Sequence, residues 1–113
     1  MEGYDVKDKK FFFFFEFLGT MILTVAFNFV DLANVYIRAL IIAKVIFIVS
    51  FVSWEVSAAH FNPAVTLGSY LFTGNLKENM QPMLGIIAMQ VLGILIGIFI
   101  TWYLSLIQDT TPP

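Results

Sequence analysis

The feature that most constrains this chain is a run of 25 residues, 83–107, without a single charged side chain. An α-helix of that length is about 37 Å long, and the hydrocarbon core of a bilayer is about 30 Å thick. Two further stretches, residues 11–30 and 35–56, are also long and apolar. The sequence therefore predicts three transmembrane helices over about these three ranges.

Composition agrees with a small integral membrane protein and excludes several other classes. Hydrophobic residues make up 59% of the chain and charged residues 12%, against about 25% charged in soluble domains. A net charge of −2 without a basic patch argues against a nucleic-acid binder. There is no cysteine, no metal-ligand cluster and no nucleophile paired with a base. We therefore expect no enzyme, no cofactor and no metal site.

The distribution of lysine and arginine predicts the orientation. With three spans, the N-terminal tail (residues 1–10) and the connection 55–82 share one side of the membrane, whereas Arg38 and the C-terminal tail (108–113) lie on the other. The first side carries four lysines, which are Lys7, Lys9, Lys10 and Lys77. Because cytoplasmic loops are rich in Lys and Arg, the N-terminus is expected in the cytoplasm and the C-terminus outside.

Two charges lie deeper inside the predicted spans. Lys44 can reach the interface with its long side chain or line a wet cavity, and both interpretations stay open. Glu16 is an intramembrane carboxylate, which is a functional hypothesis in itself. A structural role for Glu16 is favoured over proton relay.

The segment 63–73 is apolar but too short to span, because its helix would be only about 16 Å long. Asn62 is a preferred N-cap, Pro63 suits the first helical position, and Gly74 supplies a stop. A short apolar helix of this kind is either a re-entrant half-helix beside a polar passage or a helix on the cytoplasmic surface. Both interpretations follow from the residues alone.

Three motifs resemble those of one family. Residues 57–68, SAAHFNPAVTLG, closely resemble the first Asn-Pro-Ala loop of aquaporins and their relatives, the major intrinsic proteins. Residues 16–20, EFLGT, look like the first-helix motif, and residues 88–93, AMQVLG, look like the third-helix motif. The resemblance implies an all-α membrane protein with three transmembrane helices and one re-entrant Asn-Pro-Ala half-helix, which is one inverted repeat of an aquaporin-like fold.

The resemblance also implies roles for individual residues. Asn62 would donate its amide N–H to a passing water, and the half-helix from Pro63 would direct its positive end at the pore. Ala64 would complete the turn, and His60 would line the cytoplasmic part of the pore. The remaining implied residues are Glu16 and Gln90 in a structural polar network and Ile42 at or near the outer selectivity position.

The resemblance covers one repeat, whereas family members have two, each with an Asn-Pro-Ala loop. Three explanations are open: a truncated product, a half-subunit that pairs with another chain, or two copies inserted in opposite orientations. The lysine distribution argues against the third. The expected partners are the lipid bilayer, water or a small neutral solute such as glycerol, and aquaporin-like chains in a homo- or hetero-oligomer.

A rival hypothesis gives the chain no conduction of its own. Gly93 and Gly97 have the small-xxx-small spacing that lets two helices approach closely. Such a face usually packs within a bundle, but it would also allow a non-conducting subunit to join full-length channels and change their activity.

Overall fold

The computed structural model describes residues 9–30 and 34–110, which form four α-helices and no strand. Three of these helices are long and apolar enough to cross a membrane. The predicted all-α fold, with three such helices and one shorter helix, is confirmed. The four helices are α1 (Lys9–Phe29), α2 (Val35–Ser53), α3 (Pro63–Thr73) and α4 (Leu76–Thr110).

The helix ends differ from the predicted spans mainly in α4, which begins at Leu76 instead of residue 83. Pro82 suggests a break, but it lies in the second turn of the helix. A proline there removes one N–H and leaves the carbonyl of Glu78 without its helical partner. The helix therefore begins seven residues before the predicted span and includes the charged residues Lys77 and Glu78.

The predicted tails and the break after α1 are only partly described. Residues 1–8, 31–33 and 111–113 lie outside the described residues. At the C-terminal end, α4 continues through residues 108–110, so this part of the predicted tail is helical. At the other end of the chain, α1 already begins at Lys9.

Local sequence explains where α2 begins and where α3 begins and ends. The Asn34 side chain accepts hydrogen bonds from the backbone N–H groups of Tyr36 and Ile37, and so caps α2. The Asn62 side chain caps α3 in the same manner. Helix α3 ends at Gly74, whose φ of 75° is the left-handed conformation that glycine adopts without strain.

Helices α1 and α4 run parallel and in close contact. A Cβ on Gly93 would meet the Phe17 carbonyl oxygen at 2.5 Å, and a Cβ on Gly97 would meet the Thr24 side chain. Further along, the Asn28 side chain donates to Thr101. Later residues of α1 therefore contact later residues of α4, which shows that the two helices run in the same direction. This is expected because α2, the span between them in the sequence, brings the chain back across the membrane.

Helix α3 returns to the side from which the chain entered. Its first turns lie beside the middle of α4, where Gln90 donates to Thr66. Its end lies near the start of α4, where the Tyr70 hydroxyl donates to the Leu76 carbonyl. The chain between α2 and α4 thus reaches the level of Glu16 and Gln90 and then returns to the end of the bundle at which α4 begins.

Helix α2 is the least enclosed element. Among the described helices it packs only against α1, and Ser53 at its last turn is its single buried residue. The interior instead lies between α1, α3 and α4, and much of it is polar. The buried polar side chains of the described residues are Glu16 and Thr20 on α1, Ser53 at the end of α2, Ser57 in the following loop, Thr66 on α3 and Gln90 on α4.

Candidate functional site

The segment that joins α2 to α3 has an irregular backbone. Ala59 and Phe61 have φ angles of 51° and 48°, a region that residues other than glycine rarely occupy. Each such residue costs of the order of 1–3 kcal/mol and persists only where the surroundings hold it. The loop is therefore held in place by other parts of the chain.

The Glu16 side chain on α1 binds the backbone of this loop. One of its oxygens accepts the backbone N–H of His60 at 3.1 Å, and the other accepts that of Phe61 at 2.9 Å. The second oxygen also accepts from the Gln90 side chain at 2.9 Å. Glu16 and Gln90 are both fully buried. The carboxylate thus satisfies two loop N–H groups that have no helical partner, which is a structural task.

The ring of Phe61 fixes the loop from the side. It is buried and lies directly over Gly19 of α1, so that any side chain at position 19 would overlap the ring. A glycine is required here because the loop approaches the helix so closely. The aromatic ring and the carboxylate together seat the loop on α1.

Thr66 connects the loop to α4. Its hydroxyl oxygen lies 3.1 Å from His60 Nδ1 and 2.9 Å from Gln90 Nε2. It also lies 3.2 Å from the Asn62 carbonyl oxygen, one turn earlier in the chain. Only 1% of Thr66 is exposed. A single buried hydroxyl therefore links three of the residues that the resemblance singles out.

Asn62 is positioned by its own helix. Its Oδ1 accepts the backbone N–H of Ala64 at 2.9 Å, which fixes the orientation of the amide. The side chain is exposed, and its Nδ2 has no hydrogen-bond acceptor among the described residues. The free donor lies next to the N-terminus of α3, where the helix dipole is positive.

An open groove of about 390 Å³ lies in front of these residues. Its walls come from α1, α2, the loop and the first turn of α3, and Ile94 adds α4. The lining residues are Thr20, Leu23, Thr24, Phe27, Ile46, Ser50, Ala59, His60, Phe61, Asn62, Pro63, Val65 and Ile94. The groove thus combines an apolar wall with a short row of polar groups, and one side is open.

Comparison with known protein families matches residues 9–110, nearly the whole chain, to the family described as Major intrinsic protein. The chain belongs to the major intrinsic protein family. No curated protein and no solved structure matches it. The match covers all four helices, including the loop and the half-helix.

Membership places the chain among channel-type membrane proteins of the aquaporin kind, which are channels and not enzymes. With three apolar helices, this major intrinsic protein is an integral, multi-pass membrane protein.

The structure brings most of the predicted site residues together. His60, Asn62 and Pro63 line the groove, and Glu16 and Gln90 lie directly behind it. Ala64 supplies the N–H that the Asn62 side chain caps. Ile42 is half-buried on α2 and is not among the groove-lining residues, so its selectivity role stays a prediction.

Gly93 and Gly97 lie apart from the groove, at the contact with α1. Both are buried within the chain, so that this face is already covered by α1. The face is therefore not available to a second chain in this conformation. Lys44 also lies outside the groove, exposed on α2.

Four further polar residues of the site were not predicted from sequence patterns: Thr20, Thr24, Ser50 and Thr66. Thr20 and Thr24 follow Glu16 at intervals of four residues, so they continue its stripe along α1. Thr66 follows Asn62 at the same interval on α3. This spacing was the available signal. Ser50 had none, because the apolar residues of α2 are spread around the whole helix.

Proposed function

We propose that this chain forms one wall of a channel that passes water or small neutral solutes such as glycerol by facilitated diffusion. The observation that carries the proposal is the Asn62 side chain, whose oxygen is held by Ala64 N–H. The free amide N–H groups then remain to donate to a solute oxygen in the groove. Donation from a fixed group, beside a positive helix end, favours neutral oxygen-bearing solutes over cations.

Backbone acceptors complement this donor. The carbonyl oxygens of Ala59, His60 and Phe61 accept no hydrogen bond from any described residue, and these residues line the groove. Unpaired carbonyls at membrane depth are tolerated only against a water-filled passage or inside protein. A solute with hydroxyl groups would satisfy them as it passes.

The opposite wall must come from elsewhere, because the groove is open on one side. In the proposed channel this wall is a second repeat with its own half-helix, in a homo- or hetero-oligomer of aquaporin-like chains. Lys10 at the start of α1 and Lys77 at the start of α4 are exposed at one end of the parallel pair. We place this end, and the N-terminus, in the cytoplasm.

The test is solute flux through the pure chain in liposomes under an osmotic step. The wild-type chain should accelerate shrinkage over empty liposomes, alone or together with a polypeptide that carries the second repeat of a family member. Asn62→Asp should lower the flux several-fold. The Asp oxygen can still cap Ala64, but the N–H donor is replaced by a negative charge.

Asn34→Asp is the matched control. Asn34 also caps a helix through its side-chain oxygen, but it lies outside the groove, so its flux should equal that of the wild type. Flux at the level of empty liposomes in both preparations would overturn the proposal. In that case co-purification with a full-length channel whose flux falls would support the non-conducting subunit, with a contact surface other than the Gly93 and Gly97 face.

A further inference from the structure

The hydrogen-bond network behind the groove determines where one particular hydrogen sits. The starting point is Glu16, whose neighbours at its two oxygens are all N–H groups: His60 N, Phe61 N and Gln90 Nε2. The carboxyl oxygens therefore act as acceptors. This fixes the orientation of the Gln90 amide, because only its NH₂ end can face an acceptor.

The second step concerns Thr66. With its NH₂ end toward Glu16, Gln90 donates its other hydrogen to the Thr66 oxygen at 2.9 Å. A hydroxyl has one hydrogen and two lone pairs. Gln90 occupies the first lone pair, so that one lone pair and one hydrogen remain. Three further contacts compete for them: the Asn62 carbonyl at 3.2 Å, Gln90 Oε1 at 3.3 Å and His60 Nδ1 at 3.1 Å.

The Thr66 hydroxyl makes the largest number of hydrogen bonds in only one of its possible arrangements. The Asn62 carbonyl and Gln90 Oε1 can only accept, so a bond to either of them needs the Thr66 hydrogen. His60 Nδ1 must then donate to the remaining lone pair, and the hydroxyl makes three hydrogen bonds. If Thr66 donates to Nδ1 instead, the contact with Asn62 is lost and only two remain. Because Thr66 is 1% exposed, no water replaces the missing bond, and the arrangement with three bonds is favoured.

We propose that the Thr66 hydroxyl holds His60 in the tautomer with its hydrogen on Nδ1, so that Nε2 lines the groove as a hydrogen-bond acceptor. Thr66 is thus a positioning residue that acts through His60. Its hydrogen bond also fixes the Nδ1 edge of the ring on the buried side. His60 is half-buried and lines the groove, so we infer that the opposite edge, with Nε2, is the one presented there.

The consequence for the solute rests on the proposed function. Asn62 presents a donor and His60 an acceptor within one turn of chain on the same wall. A hydroxyl group, as in water or an alcohol, can accept from the first and donate to the second. A solute that only accepts can use Asn62 alone. The polar row therefore fits solutes whose oxygen carries a hydrogen.

His60 is the only histidine of the chain, which makes a direct measurement possible. The full chain is produced with ¹⁵N-histidine and studied by NMR in nanodiscs at alkaline pH, where a neutral imidazole shows one protonated and one bare ring nitrogen. The proposal expects Nδ1 at the shift of a protonated nitrogen and Nε2 at that of a bare one. A spectrum with the hydrogen on Nε2, or an average of both forms, would overturn it.

Variants test whether Thr66 is the cause. Thr66→Val removes the hydroxyl at similar volume and should move both nitrogens toward averaged positions, whereas Thr66→Ser should restore the wild-type spectrum. Thr73→Val is the matched control, since its hydroxyl lies at the far end of the same helix and, among the described residues, bonds the Tyr70 carbonyl instead of His60. It should leave the spectrum unchanged. An unchanged spectrum in Thr66→Val would overturn the role of Thr66.

The NMR spectrum tests the tautomer and the flux assay tests the proposed function, so either proposal can be overturned without the other. If Thr66→Val does not fold, as judged by circular dichroism, the wild-type and Thr66→Ser spectra still decide the tautomer. The expected spectrum together with no solute flux in any preparation would overturn the proposed function and leave the tautomer assignment intact.

Discussion

The pair formed by α1 and α4 and the single helix α2 show opposite ways of placing a helix in a membrane protein. Between α1 and α4, glycines allow backbone contact, and the enclosed side chains include Glu16 and Gln90 at 0% exposure. Helix α2 presents large apolar side chains outward, with Phe51 at 76% exposure. The first region is polar inside and closed, whereas the second is apolar and open.

This difference shows which part of the chain holds the fold together. In lipid, apolar contacts between helices gain little because the tails are equally apolar, so close packing and hydrogen bonds carry the association. Both are concentrated in α1, α4 and the loop between α2 and α3. Helix α2 adds apolar surface and one face of the groove, and its outer face packs against nothing within the described residues.

The largest expected effect is the loss of the Glu16 carboxylate. Glu16→Ala leaves the N–H groups of His60 and Phe61 and one of Gln90 without an acceptor. Since each buried donor left unsatisfied costs about 1–3 kcal/mol, the free energy of unfolding should fall by at least about 3 kcal/mol. Reversible unfolding in mixed detergent micelles, followed by circular dichroism, measures it. Glu55→Ala, an exposed site, should change it by less than about 0.5 kcal/mol, and a similar loss in both variants would contradict the assignment.

An intermediate effect is expected from the contact between α1 and α4. Gly93→Ala places a methyl group 2.5 Å from the Phe17 carbonyl oxygen, and relief requires the two backbones to separate. The same unfolding assay should show a loss of about 1–3 kcal/mol. Gly68→Ala is the matched control, because nothing lies within 4 Å of its added carbon. It should be neutral or gain up to about 1 kcal/mol, and equal effects of the two variants would refute the close approach.

The smallest effect is expected on the outer face of α2. The ring of Phe51 has one ring partner among the described residues, Phe47, with centroids 6.1 Å apart. Phe51→Ala should therefore lower the free energy of unfolding of the pure chain by less than about 1 kcal/mol. A loss as large as that of Gly93→Ala would show that α2 is held as firmly as α1 and α4, and would remove the distinction.

Hydropathy alone predicted the three spans, because lipid requires long uncharged helices and permits few alternatives. Hydropathy did not predict that α4 begins at Leu76. Pro82 suggests a helix break, but in this helix it lies in the second turn and the helix continues through it. The start of α3 was predictable because Asn62 and Pro63 are a local helix-start signal, an N-cap followed by a first-turn proline, that does not depend on the rest of the chain.

The candidate site was predictable only in part. The motifs around Glu16, Asn62 and Gln90 named these residues through resemblance, but no pattern showed that Gln90 bonds both Glu16 and Thr66 and so joins them in one network. Such a network depends on residues 24 to 74 positions apart, which periodicity within one helix cannot detect. The side of α2 that faces the groove was equally hidden, because its apolar residues surround the helix.

The bond between Glu16 and Gln90 joins residues that are 74 positions apart, and this separation has a consequence in time. At the usual 5–20 residues per second of synthesis, α4 follows α1 by about 4–15 seconds. The two loop partners of Glu16, His60 and Phe61, are 44 and 45 positions away and are made first, whereas Gln90 is the last of the three to be made. Until these partners have been made, water or another protein has to supply the hydrogen bonds of the Glu16 side chain in the nascent first helix.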